Sequence, residues 1–234
     1  MMTINNRTSQ LTARFTALCT ARPTIIFRLV LAVLFCFSLP CYAGQFELHV
    51  IDSQGKPVKD AVAALVPAQK INYTTQPTAI MDQRQNMFTP HVLAIRVNTQ
   101  VRFPNGDDIR HHVYSFSPAK KFELRLYHGL TAEPVLFDKP GTIVLGCNIH
   151  DSMVAYIYVV ETDFFAVANE QGKISINAPA GNYQLQIFHP QLTGAYPEST
   201  VTLAETAALQ KTITLDNLSA SSSSKPADEF SNLF

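Results

Sequence analysis

The chain has 234 residues, enough for one or two domains, and its formal net charge at pH 7 is zero. Its first 43 residues contain four arginines and no acidic residue, so the remainder carries 14 basic against 18 acidic side chains. This mildly acidic balance argues against a nucleic-acid partner. Cys19, Cys36 and Cys41 also fall in the first 43 residues, which excludes a disulfide framework in the rest of the chain.

Residues 1–43 have the pattern of a cleaved signal peptide. A basic front end is followed by an apolar run from Leu29 to Leu39, a break at Pro40 and the small residue Ala43 before the expected cut. The run is shorter than the ~20 residues of a spanning helix, which disfavours a membrane anchor. Lipid attachment at Cys41 is a further alternative, which the preceding Pro40 disfavours. We therefore expect export to the periplasm.

The segment that follows is predicted to be a β-hairpin. Residues 46–52 alternate between apolar and polar side chains, residues 53–57 form a turn, and residues 61–66 form a second strand. The next stretch, residues 67–80, has no clear period and is predicted to be a connection.

Short strands separated by Pro, Gly and Asn turns dominate the chain from residue 81 onwards. The predicted strands up to residue 160 are 88–97, 100–103, 111–116, 121–127, 135–137, 142–147 and 154–160. With no convincing long helix, this pattern indicates an all-β, antiparallel sandwich. At least three more alternating strands follow in residues 161–216, and the Ser-rich residues 217–234 are predicted to be a flexible tail.

One short loop brings together donors of the kind that bind copper. Cys147, His150 and Met153 place a thiolate, an imidazole and a thioether within seven residues. With a second imidazole, that donor set is the one found in blue-copper centres. His111 and His112, at the start of a predicted strand, are both candidates for it. An inert buried thiol is the alternative for Cys147, but a lone exported cysteine at this spacing favours a metal ligand.

Four segments in this order resemble the cupredoxins, blue-copper proteins of the plastocyanin and amicyanin kind, and the plastocyanin-like periplasmic proteins labelled methylamine-utilisation proteins. The matching segments are Phe103 to Asp107, His111 to Val113, Phe137 to Gly141, and the Cys147, His150 and Met153 loop. The resemblance covers about residues 81–160. It implies a Greek-key β-sandwich that binds one copper ion.

The resemblance also implies a role for each ligand. Cys147 would be the dominant charge-transfer ligand, His111 and His150 the equatorial imidazoles, and Met153 the weak axial ligand. The family motif of a ligand His followed two residues later by Val assigns His111, although a competing register, with Phe116 four places on, would assign His112. His112 replaces the usual Asn and is expected to hydrogen-bond near the Cys147 loop. Leu145 and Asn148 also depart from the family pattern.

The flanks resemble a different module, the carboxypeptidase-regulatory-like sandwich of the transthyretin type. The resemblance rests on Val50 to Val58 and on Gly172 through Tyr183. It implies a small second sandwich whose halves are separated by the cupredoxin segment. The expected divisions are 1–43 signal peptide, 44–66 first hairpin of the flanking sandwich, 67–160 cupredoxin domain, 161–216 remainder of the flanking sandwich, and 217–234 tail.

These features predict a periplasmic blue (type 1) copper protein that carries single electrons between redox partners. The expected partner is an unidentified periplasmic or membrane-bound redox protein, with no small-molecule substrate and no enzymatic activity. Multicopper enzymes need further His clusters of the H-x-H kind, which the chain lacks. The alternative is a copper-binding carrier or a structural binding module in which redox turnover is secondary.

Overall fold

The computed structural model describes residues 43–129, 133–205 and 207–219, and every regular element in these ranges is a β-strand. The predicted signal peptide, except for Ala43, and residues 220–234 of the predicted tail lie outside the described residues. No helix that could cross a membrane is found in the described part of the chain. The prediction of an all-β fold is confirmed.

The strands are numbered in chain order. They are β1 (Ala43–Asp52), β2 (Val62–Pro67), β3 (Thr78–Ile80), β4 (Asp82–Arg84), β5 (Met87–Thr89), β6 (Val92–Arg96), β7 (Thr99–Arg102), β8 (His111–Ser115), β9 (Phe122–Tyr127), β10 (Val135–Phe137), β11 (Gly141–Gly146), β12 (Val154–Val160), β13 (Phe165–Val167), β14 (Lys173–Pro179), β15 (Gly181–Phe188), β16 (Ser199–Leu203) and β17 (Leu209–Leu215).

Strands β3 to β12 form what we call the central sandwich. One sheet has the order β6-β12-β11-β8-β9, a second has the order β10-β7-β3, and β4 and β5 form a two-stranded hairpin. Side chains from both larger sheets share one buried core, in which Ile143 of β11 lies opposite Ile157 of β12 and Phe137 of β10 is fully buried. Burying each such side chain stabilises the fold by about 1.5–3 kcal/mol.

The expectation of an antiparallel sandwich is wrong for two strand pairs in this region. β12 pairs with β6 in parallel, and β3 pairs with β7 in parallel. Neither pair is joined by a short turn, because other strands lie between its members along the chain. Such pairs are free to run in parallel, whereas a hairpin connection requires antiparallel strands.

Strands β1, β2 and β13 to β17 form the flanking sandwich, with sheets ordered β14-β1-β17 and β13-β2-β15-β16. The predicted hairpin of residues 44–66 is wrong, because β1 and β2 lie in different sheets. Both strands contribute apolar side chains to the same core, Phe46 from β1 and Leu65 from β2. Residues 53–61 therefore carry the chain from one layer to the other. Each strand pairs instead with strands of the C-terminal half.

The two sandwiches contact each other through aromatic rings and one buried arginine. Phe188 of β15 stacks on Tyr158 of β12, with ring centroids 4.6 Å apart and an angle of 6° between the planes. The Nε atom of Arg96 lies 2.6 Å from Oδ1 of Asp163, and its guanidinium covers the ring of Tyr73 at 4.2 Å. This buried charge is paired, as a buried charge must be to avoid a large desolvation penalty.

The start of the predicted flexible tail is also corrected. The N–H of Ser219 donates to the carbonyl of Gln191 at 2.8 Å, and the N–H of Thr193 donates to the carbonyl of Asn217 at 2.9 Å. Leu218 packs against the core of the flanking sandwich. Residues 217–219 are therefore held in place by one apolar contact and two backbone hydrogen bonds.

Candidate metal centre

Three potential ligand side chains meet at one end of the central sandwich. His111 begins β8, Cys147 directly follows β11, and His150 lies in the loop that leads to β12. One donor atom from each residue lies within 4.8 Å of the other two. The Sγ of Cys147 is 4.0 Å from Nδ1 of His111 and 3.8 Å from Nδ1 of His150. The three donors therefore face a common point.

The site is shielded from water on most sides. His111 is 0% exposed and Cys147 is 3% exposed, whereas the ring of His150 is only partly buried. Burial of the donors excludes competing water, and the His150 side remains the more accessible one. Ile149, the residue before His150, is 50% exposed.

Met153 closes the loop that carries Cys147 and His150. Its N–H donates to the carbonyl of His150 at 2.9 Å, which folds residues 150–153 into a tight turn. Its side chain is 1% exposed and belongs to the same apolar core as Cys147. The structure thus brings His111, Cys147 and His150 together as a donor cluster and places the Met153 thioether in the buried core beneath the loop.

His112 faces away from this cluster. Neighbouring side chains of a strand point to opposite faces, and His112 lies in an irregularity of the β8 and β9 pairing between His111 and Val113. Its Nε2 lies 2.9 Å from Oε1 of Glu123 in β9, and its Nδ1 makes no hydrogen bond. The expected hydrogen bond to the Cys147 loop is therefore wrong. The physical reason is strand alternation, which directs His112 toward the neighbouring strand.

Asp107 contacts the far side of the His111 ring, a role that the sequence analysis missed. Its Oδ2 lies 2.7 Å from Nε2 of His111. Burial by itself raises the pKa of the Asp107 carboxyl, but hydrogen bonds from the N–H groups of Asn86 and Gln85 and from the His111 ring outweigh it. The pKa therefore lies below its ordinary value. The spacing of four residues between Asp107 and His111 was the available signal.

The loop that carries Asp107 is held by the buried amide of Asn105. The Nδ2 of Asn105 donates to the carbonyls of Ile109 at 2.8 Å and of Tyr127 at 2.9 Å. Its Oδ1 accepts from the N–H of Asp107 at 3.0 Å. One side chain therefore satisfies three backbone groups and fixes the chain that leads into β8.

A buried tyrosine supports the same end of the sandwich. Burial raises the pKa of Tyr127 to about 12. Its hydroxyl therefore stays protonated and donates to the carbonyl of Phe103 at 2.6 Å, while it accepts from Nε2 of Gln83. These bonds anchor the strand end directly before the Asn105 loop.

Tyr114 covers the backbone next to Cys147, and this contact requires glycine. A Cβ atom added to Gly146 would lie 2.8 Å from Cζ of the Tyr114 ring, closer than such atoms approach. Burial raises the pKa of the Tyr114 hydroxyl, and Cys147 and Asp151 raise it further. The ring thus packs directly over the strand end that presents the thiol.

The donor set fits copper. A thiolate and two imidazoles converge in a buried pocket, with a buried thioether on the same loop, and soft sulfur with imidazole suits copper better than it suits Mg²⁺ or Ca²⁺. His111, Cys147 and His150 would hold the ion, with Met153 as the candidate axial ligand.

The strands and the site together define the central region as a cupredoxin-like β-sandwich, and the predicted resemblance is confirmed at the level of the fold. No protein-family model matches the sequence. The comparison with curated proteins likewise gives no match.

Solved structures similar to the chain include three copper proteins. A Cu-containing nitrite reductase from Thermus scotoductus is 27% identical, over 41% of this chain and 26% of that chain, with a TM-score of 0.34. A reduced amicyanin variant is 16% identical, over 42% and 98% of the two chains, with a TM-score of 0.32. A purple cupredoxin from Nitrosopumilus maritimus is 20% identical, over 36% and 99%, with a TM-score of 0.31. The chain spans about a quarter of the nitrite reductase.

Proposed function

We propose that this protein is a periplasmic blue (type 1) copper protein that binds one copper ion and carries single electrons between redox partners. The observation that supports it most directly is the convergence of Cys147, His111 and His150, whose donor atoms lie within 4.8 Å of one another. When bound in such a donor set, copper alternates between Cu(I) and Cu(II) and so supplies one-electron chemistry.

The residues around the site would keep its geometry constant. Cys147 and Met153 lie at the two ends of a loop stretched between the paired strands β11 and β12. His111 is held from outside by Asp107 and stands in a strand paired with β9. Small ligand movement keeps the reorganisation on electron transfer low, which is what a carrier requires.

His150 is the natural contact point for a partner, because it is the most accessible of the three clustered donors. The partner would be a periplasmic or membrane-bound redox protein that approaches this face of the central sandwich. No small-molecule substrate is needed for this function, so we propose a carrier rather than an enzyme.

The flanking sandwich supports a second candidate function. Its firm attachment through Phe188, Tyr158 and Arg96 would suit a copper carrier or binding module, in which this sandwich recognises a protein, glycan or membrane component and redox turnover is secondary. The two candidates differ in the electronic structure that they require at Cys147.

A visible spectrum of the mature protein with one equivalent of Cu(II) separates them. The proposed carrier should show intense absorption near ~600 nm from the bond between Cu(II) and the Cys147 thiolate. Cys147→Ser should abolish this band completely, because it removes the donor of the transition. Stoichiometric uptake of Cu(II) without colour would contradict the electron-carrier function and favour the second candidate.

A further inference from the structure

We propose that Asp107 is a positioning residue that fixes the His111 ring, with its hydrogen on Nε2 and the lone pair of Nδ1 directed at the metal position. The inference concerns how the chain prepares one ligand. Its relevance to copper rests on the proposed function, but its structural content can be tested without any metal.

The first step concerns the two nitrogens of the ring. Nε2 of His111 lies 2.7 Å from Oδ2 of Asp107, and Nδ1 lies 4.0 Å from Sγ of Cys147. An ionised carboxylate only accepts hydrogen bonds, so the neutral ring must carry its hydrogen on Nε2 to make this contact. Nδ1 is then left with a lone pair that faces Cys147, which is the form needed for metal binding.

The second step concerns what holds the carboxylate. Its Oδ1 accepts from the N–H of Gln85 at 2.6 Å, and its Oδ2 accepts from the N–H of Asn86 at 3.0 Å. These two residues form the turn between β4 and β5 and have positive φ angles of 54° and 58°. In that conformation, their N–H groups point together at Asp107. The carboxylate therefore has a donor at each oxygen before His111 is considered.

The third step concerns why a carboxylate is required. Asp107 accepts hydrogen bonds on both oxygens, whereas an amide of the same size has one acceptor oxygen and one donor nitrogen. An Asn at this position would direct its NH₂ group either at the N–H of Gln85 or at the N–H groups of Asn86 and His111. Only the ionised acid satisfies all three donors.

The consequence for a bound metal is a stronger His111 ligand. A carboxylate that accepts from the second ring nitrogen fixes the ring orientation and raises the basicity of the coordinating nitrogen. Loss of such a partner costs about 10–100-fold in metal affinity. Because the more basic ligand favours Cu(II) over Cu(I), removing Asp107 should raise the reduction potential. A tenfold preferential loss of Cu(II) affinity corresponds to about 59 mV.

The metal-free test uses ¹⁵N NMR of the histidine side chains in the wild type, Asp107→Ala and Asp107→Asn. The pH is set about two units above the ordinary His pKa of ~6.5, so that the rings are neutral. The wild-type His111 ring should carry its hydrogen on Nε2. Asp107→Ala should give a mixture of the two tautomers, and Asp107→Asn an intermediate result. A wild-type ring with its hydrogen on Nδ1 overturns the proposal without any variant.

The matched control is Asp108→Asn, which removes the same charge at the adjacent, exposed position. It should leave the His111 tautomer unchanged. If Asp108→Asn shifts the tautomer as much as Asp107→Asn does, general charge rather than the Asp107 contact is responsible, and the proposal is wrong.

The copper-loaded proteins supply the second measurement. Asp107→Asn should bind Cu(II) about 10–100-fold more weakly than wild type and have a higher reduction potential, whereas Asp108→Asn should match wild type on both. A purely structural role for Asp107 would lower the unfolding temperature of the metal-free protein and leave the potential unchanged, which contradicts the proposal. If the wild type binds no copper, the proposed function fails, but the tautomer experiment still decides the role of Asp107.

Discussion

The two sandwiches are built in the same way but bury different kinds of side chain. The core cluster of the flanking sandwich consists of apolar side chains, among them Phe46 and Leu185. The central sandwich buries Gln83, Asn105 and His111 as well, at the end where its potential ligands meet. Buried polar groups destabilise a fold unless they are hydrogen-bonded, so a concentration of them beside Cys147 indicates that this end is specialised for binding.

The largest expected difference is between the two adjacent histidines of the central sandwich. His111→Ala should abolish the blue absorption and weaken copper binding by more than the ~100-fold lost with an outer partner, because it removes a ligand. His112→Ala should retain both properties, since its ring contacts Glu123 on the other face. Absorption spectra and competition with a chelator measure both effects. Loss of colour in His112→Ala alone would reverse the assignment.

A matched pair of core substitutions tests whether the flanking core is independent of the site. Phe46 and Phe103 are both 0% exposed, one in each sandwich. Replacing either by Ala should lower the free energy of unfolding by about 3–5 kcal/mol in urea titrations.

Only Phe103→Ala should also alter the copper spectrum, because its backbone directly precedes the loop that carries Asp107 and His111. If Phe46→Ala disturbs the spectrum equally, the two regions do not act as separate cores.

A smaller effect is expected at the contact between the sandwiches. Tyr158 and Phe188 stack with their planes nearly parallel. A double-mutant cycle with Tyr158→Ala and Phe188→Ala should give a coupling energy of about 0.5–1.5 kcal/mol, beyond the area that each ring buries. Additive losses in thermal or urea unfolding would show that the stacked rings do not couple the two regions.

The smallest expected effect is a pH dependence from His189, directly after β15. Burial lowers the pKa of His189, and nearby His91 lowers it further, against the opposing effects of the Lys59 carbonyl and Asp60. Below the unfolded pKa of ~6.5, the unfolded chain binds the proton first, so stability should fall as the pH decreases from there toward the lower folded pKa. Above ~6.5 this contribution is constant.

His189→Gln should reduce the slope of unfolding free energy against pH in that window. Urea titrations at several pH values measure the slope. An unchanged slope would show that His189 does not contribute to it.

The strand positions were largely predictable because they depend on local patterns. Residues 135–137 and 154–160 were predicted with the observed ends of β10 and β12. Pairing was less predictable, because alternation shows which side chains are buried but not which sheet contains them. The hairpin of residues 44–66 failed for this reason, since β1 and β2 bury their side chains in one core from opposite layers.

For the site, the sequence by itself determined that Cys147 and His150 lie close together, because two residues separate them and no long excursion is possible. It also limited the second imidazole to His111 or His112. Only the tertiary structure decided between those two for the donor cluster, since strand β8 must be placed in its sheet before its faces can be distinguished. The same holds for Asp107. Its carboxylate is held by backbone N–H groups of residues 85 and 86, 22 and 21 positions earlier, and a contact made by backbone atoms leaves no pattern of residue types in the sequence.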